Sequence, residues 1–424
     1  MMRFGHGETG SSSRPFPPGF LWGAATSPTQ IEGCTHNEWR TFTARDGTMA
    51  DAVSTHWKNP ARDLQLLSDL NLNSYRMGLD WGRLQHGPLA ALHEPAVTQY
   101  AEMIRTLTAR GIEPFVTLFH FACPEWFAAL GGWDNPASVE YFLDFVRRVA
   151  ELALPVRHWI TFNEPCVHMT MAYLIGLFPP HKRFALRQAM RVIAHQALAH
   201  KATRHILQDA NPSAMVGISK HFKRFIPARR WHPLDWMNVR MIKSFFNERL
   251  LNAFLVENGE PSCDFLGVNY YGRFRVRGFS DMTPISGVPR AVFESLGTTC
   301  DDMWEQDPKW LKDLLVMLRE QYRLPLFITE SGFATDDEEL RCRLLSSHLE
   351  SLQAAVADGV DVRGFYYWSL MDNFEWAEGI TKRFGLAAVD FSNPDMPRSI
   401  RKTGHYLAIV AKNNALRNDT ARPV

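Results

Sequence analysis

What most restricts the fold of this chain is an alternation. Short apolar runs bounded by turn or cap residues recur eight times, as "FLWGAAT", "NSYRMGLDW", "PFVTLFH", "HWITFNE", "AMVGIS", "DFLGVNYY", "PLFITESG" and "VRGFYYWSL". Between most of them lie stretches of helical periodicity, among them residues 60–71, 95–111, 136–153, 186–209 and 336–359. Several stop on glycine, as "TARG" and "ADG" do, because the residue after a helix often takes a left-handed conformation that only glycine adopts without a Cβ clash. Strands that are apolar throughout are covered on both faces, and strands separated by helices run parallel, so the pattern predicts a parallel sheet wrapped in helices. Eight such units in 424 residues fit a closed (β/α)8 barrel. An open doubly wound sheet would carry Gly-x-Gly-x-x-Gly after its first strand, and none follows "FLWGAAT". No Ser- or Pro-rich linker divides the chain, so residues 15–424 are expected to form one barrel, residues 1–14 a mobile tail, and residues 272–308 a long loop after the sixth strand.

The charge balance excludes several classes of partner. With 46 basic and 45 acidic side chains the formal net charge is +1, so no global field draws nucleic acid or an anionic membrane. No run of about 18 apolar residues predicts a membrane span, and the first residues lack the apolar segment of a signal peptide. Cys34, Cys123, Cys166, Cys263, Cys300 and Cys342 are widely spaced with no CxxC pair, which predicts reduced thiols and a cytoplasmic location. His195, His200 and His205 follow one another at intervals of five; each is turned by about 140° from the last on a helix, so they do not share a face as metal ligands would. No HExxH, phosphate loop or nucleotide fingerprint is present, and neither a metal nor a cofactor is expected. The oligomeric state has no signature in the sequence.

In an eight-fold barrel the chemistry sits at the C-terminal ends of the strands. Reading those ends gives Arg76 on the second strand, His120 on the third, Asn163 and Glu164 on the fourth, Tyr270 and Tyr271 on the sixth, Glu330 on the seventh and Trp368 on the eighth. Glu164 and Glu330 are the acidic residues that close two different strands, so their carboxyl groups can face each other across the barrel mouth. Glycoside hydrolysis needs such a pair, one to protonate the departing oxygen and one to attack or stabilise the anomeric carbon. A gap of about 5 to 5.5 Å gives retention of configuration and one of about 6.5 to 9.5 Å gives inversion, and at this point both outcomes stand. Arg76 and a tyrosine hydroxyl could hold one carboxylate ionised. The aromatics offer faces for sugar rings, and amides such as Asn163 and Gln30 offer paired donors and acceptors for hydroxyls.

From "FLWGAATSPTQIEG" to "GITKRFGLAAVD" the chain resembles glycoside hydrolase family 1, the β-glucosidase and β-galactosidase group. "TFNEP" is similar to the family's acid/base signature, "ITESG" to its nucleophile signature, and "WSLMDNFEWAEG" to its sugar-binding strand and loop. The resemblance implies a retaining, cofactor-free β-glycosidase with Glu164 as acid/base and Glu330 as nucleophile. It further implies that Gln30, His120, Asn163, Glu375 and Trp376 bind the nonreducing sugar, with Trp368 beneath its ring and Phe384 at the pocket edge. Arg76 and Tyr271 would support the nucleophile. The expected partner is a small β-glycoside, carrying a terminal β-D-glucosyl or a related β-galactosyl or β-fucosyl residue.

Departures from the family's pattern occur at the ends of three strands. Phe121 follows His120 where tryptophan is usual, Ser331 follows Glu330 where asparagine is usual, and Lys220 and His221 stand after the fifth strand where an asparagine often faces the leaving group. The rival functions are a 6-phospho-β-glycosidase, which the charge of Glu375 disfavours, a transglycosidase using the same intermediate, and a catalytically silent sugar-binding protein on the same fold.

Overall fold

The computed structural model describes residues 15–33, 36–257, 259–277 and 299–416. The expected tail over residues 1–14 lies outside them, as do residues 278–298 of the expected loop. The eight predicted runs become β1 Leu21–Ala25, β2 Ser74–Gly78, β3 Glu113–Phe119, β4 His158–Asn163, β5 Met215–His221, β6 Phe265–Asn269, β7 Leu326–Ser331 and β8 Val362–Trp368. They close into a parallel barrel in which each strand pairs with the next and β8 returns to β1, Leu21 opposite Gly364 and Ala25 opposite Trp368.

The helices over the outside follow from local signals. The helix Glu338–Ala357 starts where Asp337 Oδ1 accepts a hydrogen bond from Leu340 N at 2.9 Å, which satisfies a donor the first turn leaves open. It buries Leu340, Leu344, Leu345, Leu349 and Leu352 along one stripe against the barrel. Just beyond it Gly359 takes a φ of +83°, as the "ADG" ending predicts.

Inside the barrel, Phe115, Phe265, Phe327 and Tyr366 meet edge to face, with ring centroids 5.2 to 5.3 Å apart. Gly217 makes room for this layer: a Cβ there would lie 2.5 Å from the Phe265 carbonyl oxygen and 2.7 Å from its ring. Truncating one such buried ring costs about 3 to 5 kcal/mol, so this layer is a rigid base.

Nearer the C-terminal ends the regular alternation breaks. The β7 ladder shifts register between Ile328 and Ser331 against β8 and between Ile328 and Glu330 against β6. The β4 ladder shifts between Ile160 and Asn163. An extra residue in a strand re-aims the side chains beside it, and here Thr329 and Glu330, adjacent in sequence, both bond to groups inside the barrel.

Two sequence boundaries are corrected. Residues 272–308 are not all loop: Arg273–Val276 pairs in parallel with Arg224–Pro227, because the segments leaving the adjacent strands β5 and β6 run side by side, with Phe225 and Phe274 in ring contact at 6.1 Å. The second run stops at Gly78, since Asp80 caps a short helix Trp81–Leu84. No helix among the described residues is long and apolar enough to cross a membrane.

Candidate active site

The barrel mouth opens into a cleft of about 730 Å³ of empty space, which includes its open end. Glu164 enters it from an unusual backbone. It follows β4 with φ +45° and ψ +53° and precedes the helix Pro165–Met169, with Pro165 in the first turn. A left-handed conformation at a non-glycine residue costs about 1 kcal/mol or more and persists only where surroundings impose it. Here the Glu164 N–H donates to Ser219 O at 2.8 Å, and the Glu164 carbonyl accepts from the N–H groups of Val167 and His168 at 2.9 and 3.0 Å. Phe121 and Trp376, which also line the cleft, have positive φ as well. Glu330 arrives differently, on the irregular end of β7. Two residues on, a Cβ at Gly332 would fall 1.8 Å from the Trp368 carbonyl oxygen, so glycine lets the ends of β7 and β8 close together.

One hydrogen-bond network ties the two carboxylates together. Arg76, wholly buried, donates from Nη1 to Glu330 Oε1 at 2.5 Å and to Thr329 O at 3.0 Å, and from Nη2 to Asn163 Oδ1 at 2.6 Å. The Tyr271 hydroxyl donates to Glu330 Oε2 at 2.6 Å. Asn269 Nδ2 donates to Glu164 Oε1 at 2.7 Å and to Asn163 Oδ1 at 3.1 Å, and the same amide also stabilises ionised Glu330. Thr329 Oγ1 donates to Asn269 Oδ1 at 2.6 Å and so fixes which way that amide points. With Asn163 Oδ1 accepting from Arg76, its Nδ2 donates to His120 Nε2 at 3.0 Å. His120 is therefore a neutral ring with its proton on Nδ1, which has no acceptor among the described residues.

The network gives the carboxyl groups opposite tendencies. Burial pushes Glu164 up to about 8, the charge of Glu330 adds to this, and the Asn269 amide with Lys223 and Lys220 opposes it. Burial also raises Glu330, but Arg76, the Tyr271 hydroxyl and Asn269 all favour its charged form. Of two facing carboxyl groups, the one in contact with a guanidinium keeps the negative charge and the other keeps the proton.

The remaining predicted residues divide into those that line the cleft and those behind it. His120, Asn163, Tyr271, Trp368, Glu375, Trp376 and Phe384 line it with the two glutamates. Gln30 does not: it is wholly buried, and its Nε2 donates to Asn373 Oδ1 at 3.0 Å, Phe374 O at 2.9 Å and Glu375 Oε2 at 3.2 Å. Gln30 thus positions Glu375, which Trp368 also hydrogen-bonds and which burial pushes up to about 8. The repulsion expected of Glu375 towards a sugar phosphate is correspondingly weaker at neutral pH than a full charge gives. Tyr270 faces away, its hydroxyl donating to Asp307 O at 2.6 Å. Ser331 also points outward, with Oγ 3.0 Å from His348 Nδ1.

Several residues of the site escape the strand-end reading. Asn269 is the last residue of β6 and was within reach of that rule, one place before the tyrosines it selected. Met171, Phe178, Lys223, Met303 and Trp304 come from loops and the π-helical turn Thr170–Ile175, where no periodicity marks them. Trp304 packs on Tyr271 with centroids 4.7 Å apart.

In the histidine series His195 Nδ1 bonds Trp133 O at 2.8 Å, His200 Nδ1 bonds Thr161 Oγ1 at 2.7 Å, and His205 is exposed. Among the described residues, Glu38, Cys123 and His168 form a group with one ligand-type atom each within 4.8 Å of the others. Burial pushes the Glu38 carboxyl up to about 7 and the His168 ring down to about 3, so the trio is poised to be uncharged. Cys123 N donates to Glu38 Oε1 at 3.2 Å and Gln196 Nε2 to His168 Nδ1 at 3.2 Å.

The model of the family described as glycosyl hydrolase family 1 matches residues 12–260 and 256–416. β-Glucosidase A of Thermotoga maritima is 29% identical over 451 aligned residues, which cover 95% of this chain and 99% of that protein. A β-glycosidase structure from Pyrococcus horikoshii superposes with a TM-score of 0.85 at 32% identity, covering 96% of this chain and 97% of the other. A β-glucosidase from T. maritima, solved in complex with galacto-hydroximolactam, superposes with a TM-score of 0.84 at 29% identity over 95% of this chain and all of that one.

Proposed function

The chain belongs to glycosyl hydrolase family 1 and is a retaining β-glycosidase; within that chemistry we propose that Glu330 is the nucleophile and Glu164 the general acid and base. The observation that carries this division is the contact between Glu330 and both Arg76 and Tyr271, at 2.5 and 2.6 Å, which Glu164 lacks. In the first step Glu330 attacks C1 of the sugar while Glu164 gives its proton to the glycosidic oxygen. The C1–O bond breaks, the aglycone leaves as an alcohol, and a covalent glycosyl ester remains. Forming that ester removes the charge of Glu330, and this charge is one of the causes that raise Glu164. Glu164 then becomes the stronger acid, stays ionised, and takes a proton from the water that attacks C1 in the second step, while the C1–O bond to Glu330 breaks, the sugar leaves and Glu330 is again a carboxylate.

The sugar is proposed to be a terminal nonreducing β-D-glucosyl residue, or a related β-galactosyl or β-fucosyl one. His120, Asn163, Glu375, Trp376, Trp368 and Phe384 would surround it, with Gln30 holding Glu375 from behind. Phe121 replaces an indole donor by a hydrocarbon face, so the ranking among these sugars is read from kcat/KM over a panel of aryl β-glycosides. Hydrolysis of a chromogenic β-glucoside by wild type and by Glu330→Ala tests the core of the proposal; equal rates would remove Glu330 from its role.

We also take residues 15–424 as a single catalytic unit, since β1 and β8 pair directly and cannot be separated without opening the barrel. A cytoplasmic location is proposed on the buried thiols Cys123, Cys166, Cys263 and Cys342, none of them in a disulfide; recovery in a membrane or secreted fraction would contradict it.

A further inference from the structure

The aglycone must place its oxygen against Glu164, because that is where it receives a proton. The wall on that side comes from the segment at and after the end of β5. His221 Nδ1 lies 3.8 Å from Glu164 Oε2, and Lys223, two residues on, lines the same cleft while only 3% exposed. Lys223 is held from its backbone: its N–H donates to Asn247 Oδ1 at 3.4 Å and its carbonyl accepts from Asn247 Nδ2 at 2.8 Å. Its ammonium stands over aromatic rings, 4.6 Å from the centroid of Phe274 and 4.9 Å from that of Phe246. Among the described residues no carboxylate or carbonyl accepts a hydrogen bond from it. Lys220 differs, since its ammonium donates to the carbonyl of His221 and lies 3.9 Å from the Phe246 centroid, outside the cleft lining.

A nine-tenths buried ammonium without an acceptor is costly: burial pushes Lys223 down to about 7, and a bound anion at hydrogen-bond distance would hold it in its charged form. Glu164 attracts it, yet Glu164 must carry a proton when the aglycone leaves, so it is no lasting counter-ion. The cleft also has apolar and aromatic walls, with Val167, Met171, Phe178, Met303 and Trp304 in its lining beside the acidic Glu375 and Glu378. Resting on the reading of Glu164 as the acid, we propose that the aglycone end of the cleft takes an aromatic carboxylate, its ring against the apolar wall and its carboxylate on Lys223 Nζ. The natural leaving group is then a hydroxyaryl acid linked to the sugar through its phenolic oxygen.

A matched pair of substrates tests this, 4-carboxyphenyl β-D-glucoside and its neutral methyl ester, compared by kcat/KM. The ratio of acid to ester in wild type should fall by at least about tenfold in Lys223→Met, the size of one charge-assisted hydrogen bond. Lys223→Arg should keep the ratio within about threefold of wild type. Because the quantity is a ratio, the part of any effect of Lys223 on Glu164 that both phenols share cancels. A ratio unmoved in Lys223→Met overturns the carboxylate site. If that variant does not fold, Lys223→Gln is read in its place, with the same two outcomes. Failure of wild type to hydrolyse either glucoside overturns the underlying assignment of the glutamates instead, which separates the two failures.

Discussion

Glu164 and Glu330 carry the same functional group into one cleft, and their surroundings are opposite in nearly every respect. Glu330 sits on a strand, gripped by a buried guanidinium and a phenol that both favour its charge. Glu164 sits one residue past a strand in a left-handed turn, with an amide as its direct hydrogen-bond partner and cations only at longer range. The side of Glu330 is built from strand ends, which the barrel holds rigidly. The side of Glu164 is walled by His221 at the end of β5 and by segments that leave the barrel, which carry Lys223, Met171 and Phe178. The difference teaches that the barrel fixes the surroundings of the proposed nucleophile, whereas the excursions after β4 and β5 supply much of the wall proposed for the leaving group.

Removing the group at the fixed end should have the largest effect. Glu330→Ala should lower kcat/KM on an aryl β-glucoside by about 10⁴-fold or more, and added azide should restore turnover as the α-glycosyl azide. Glu164→Ala should instead yield the β-glycosyl azide, because azide meets a glycosyl-enzyme on the face that Glu164 occupies. If the two variants gave the same anomer, the comparison would collapse. Glu164→Ala should also slow alkyl glucosides by about 10²- to 10⁴-fold while sparing activated aryl glucosides, whose leaving groups need no proton; uniform loss across leaving groups counts against its role.

Arg76→Met should cost about 3 kcal/mol of charge stabilisation, near 10²-fold in kcat/KM. It removes an influence that lowers Glu330, so the acidic limb of the pH profile should move to higher pH; an unmoved limb would mean that Arg76 acts only through packing. Tyr271→Phe should shift that limb the same way with a smaller loss, about tenfold. In wild type the alkaline limb should lie near pH 8, where Glu164 loses the proton it must donate. Titrating kcat/KM for an alkyl glucoside locates that limb.

Much of this arrangement was readable from residue types and periods. Apolar runs alternating with helices gave all eight strands, because a strand buried on both faces leaves an unmistakable hydrophobic signature. The strand-end rule found Arg76, His120, Asn163, Glu330 and Trp368 for the same reason. It passed over Asn269, which lies inside an apolar run and whose amide joins both carboxylates only through the closure of the barrel. It also picked Tyr270, which turns outward, since a period of two fails where a strand ends and the chain bends. Lys223, Trp304 and Phe178 lie in loops, where nothing in one dimension says which side chains return to the mouth. Gln30 was read as a sugar ligand and is placed behind Glu375, a distinction that depends on depth and not on identity.

The sequence by itself determined the barrel and the two glutamates, because hydrophobic period and the chemistry of residue types are local properties. Tertiary structure alone set their different surroundings, which favour the charged form of Glu330 and the protonated form of Glu164. That division rests on contacts between residues far apart in the chain, Arg76 and Tyr271 with Glu330, and on the burial of Glu164 beside the charge of Glu330.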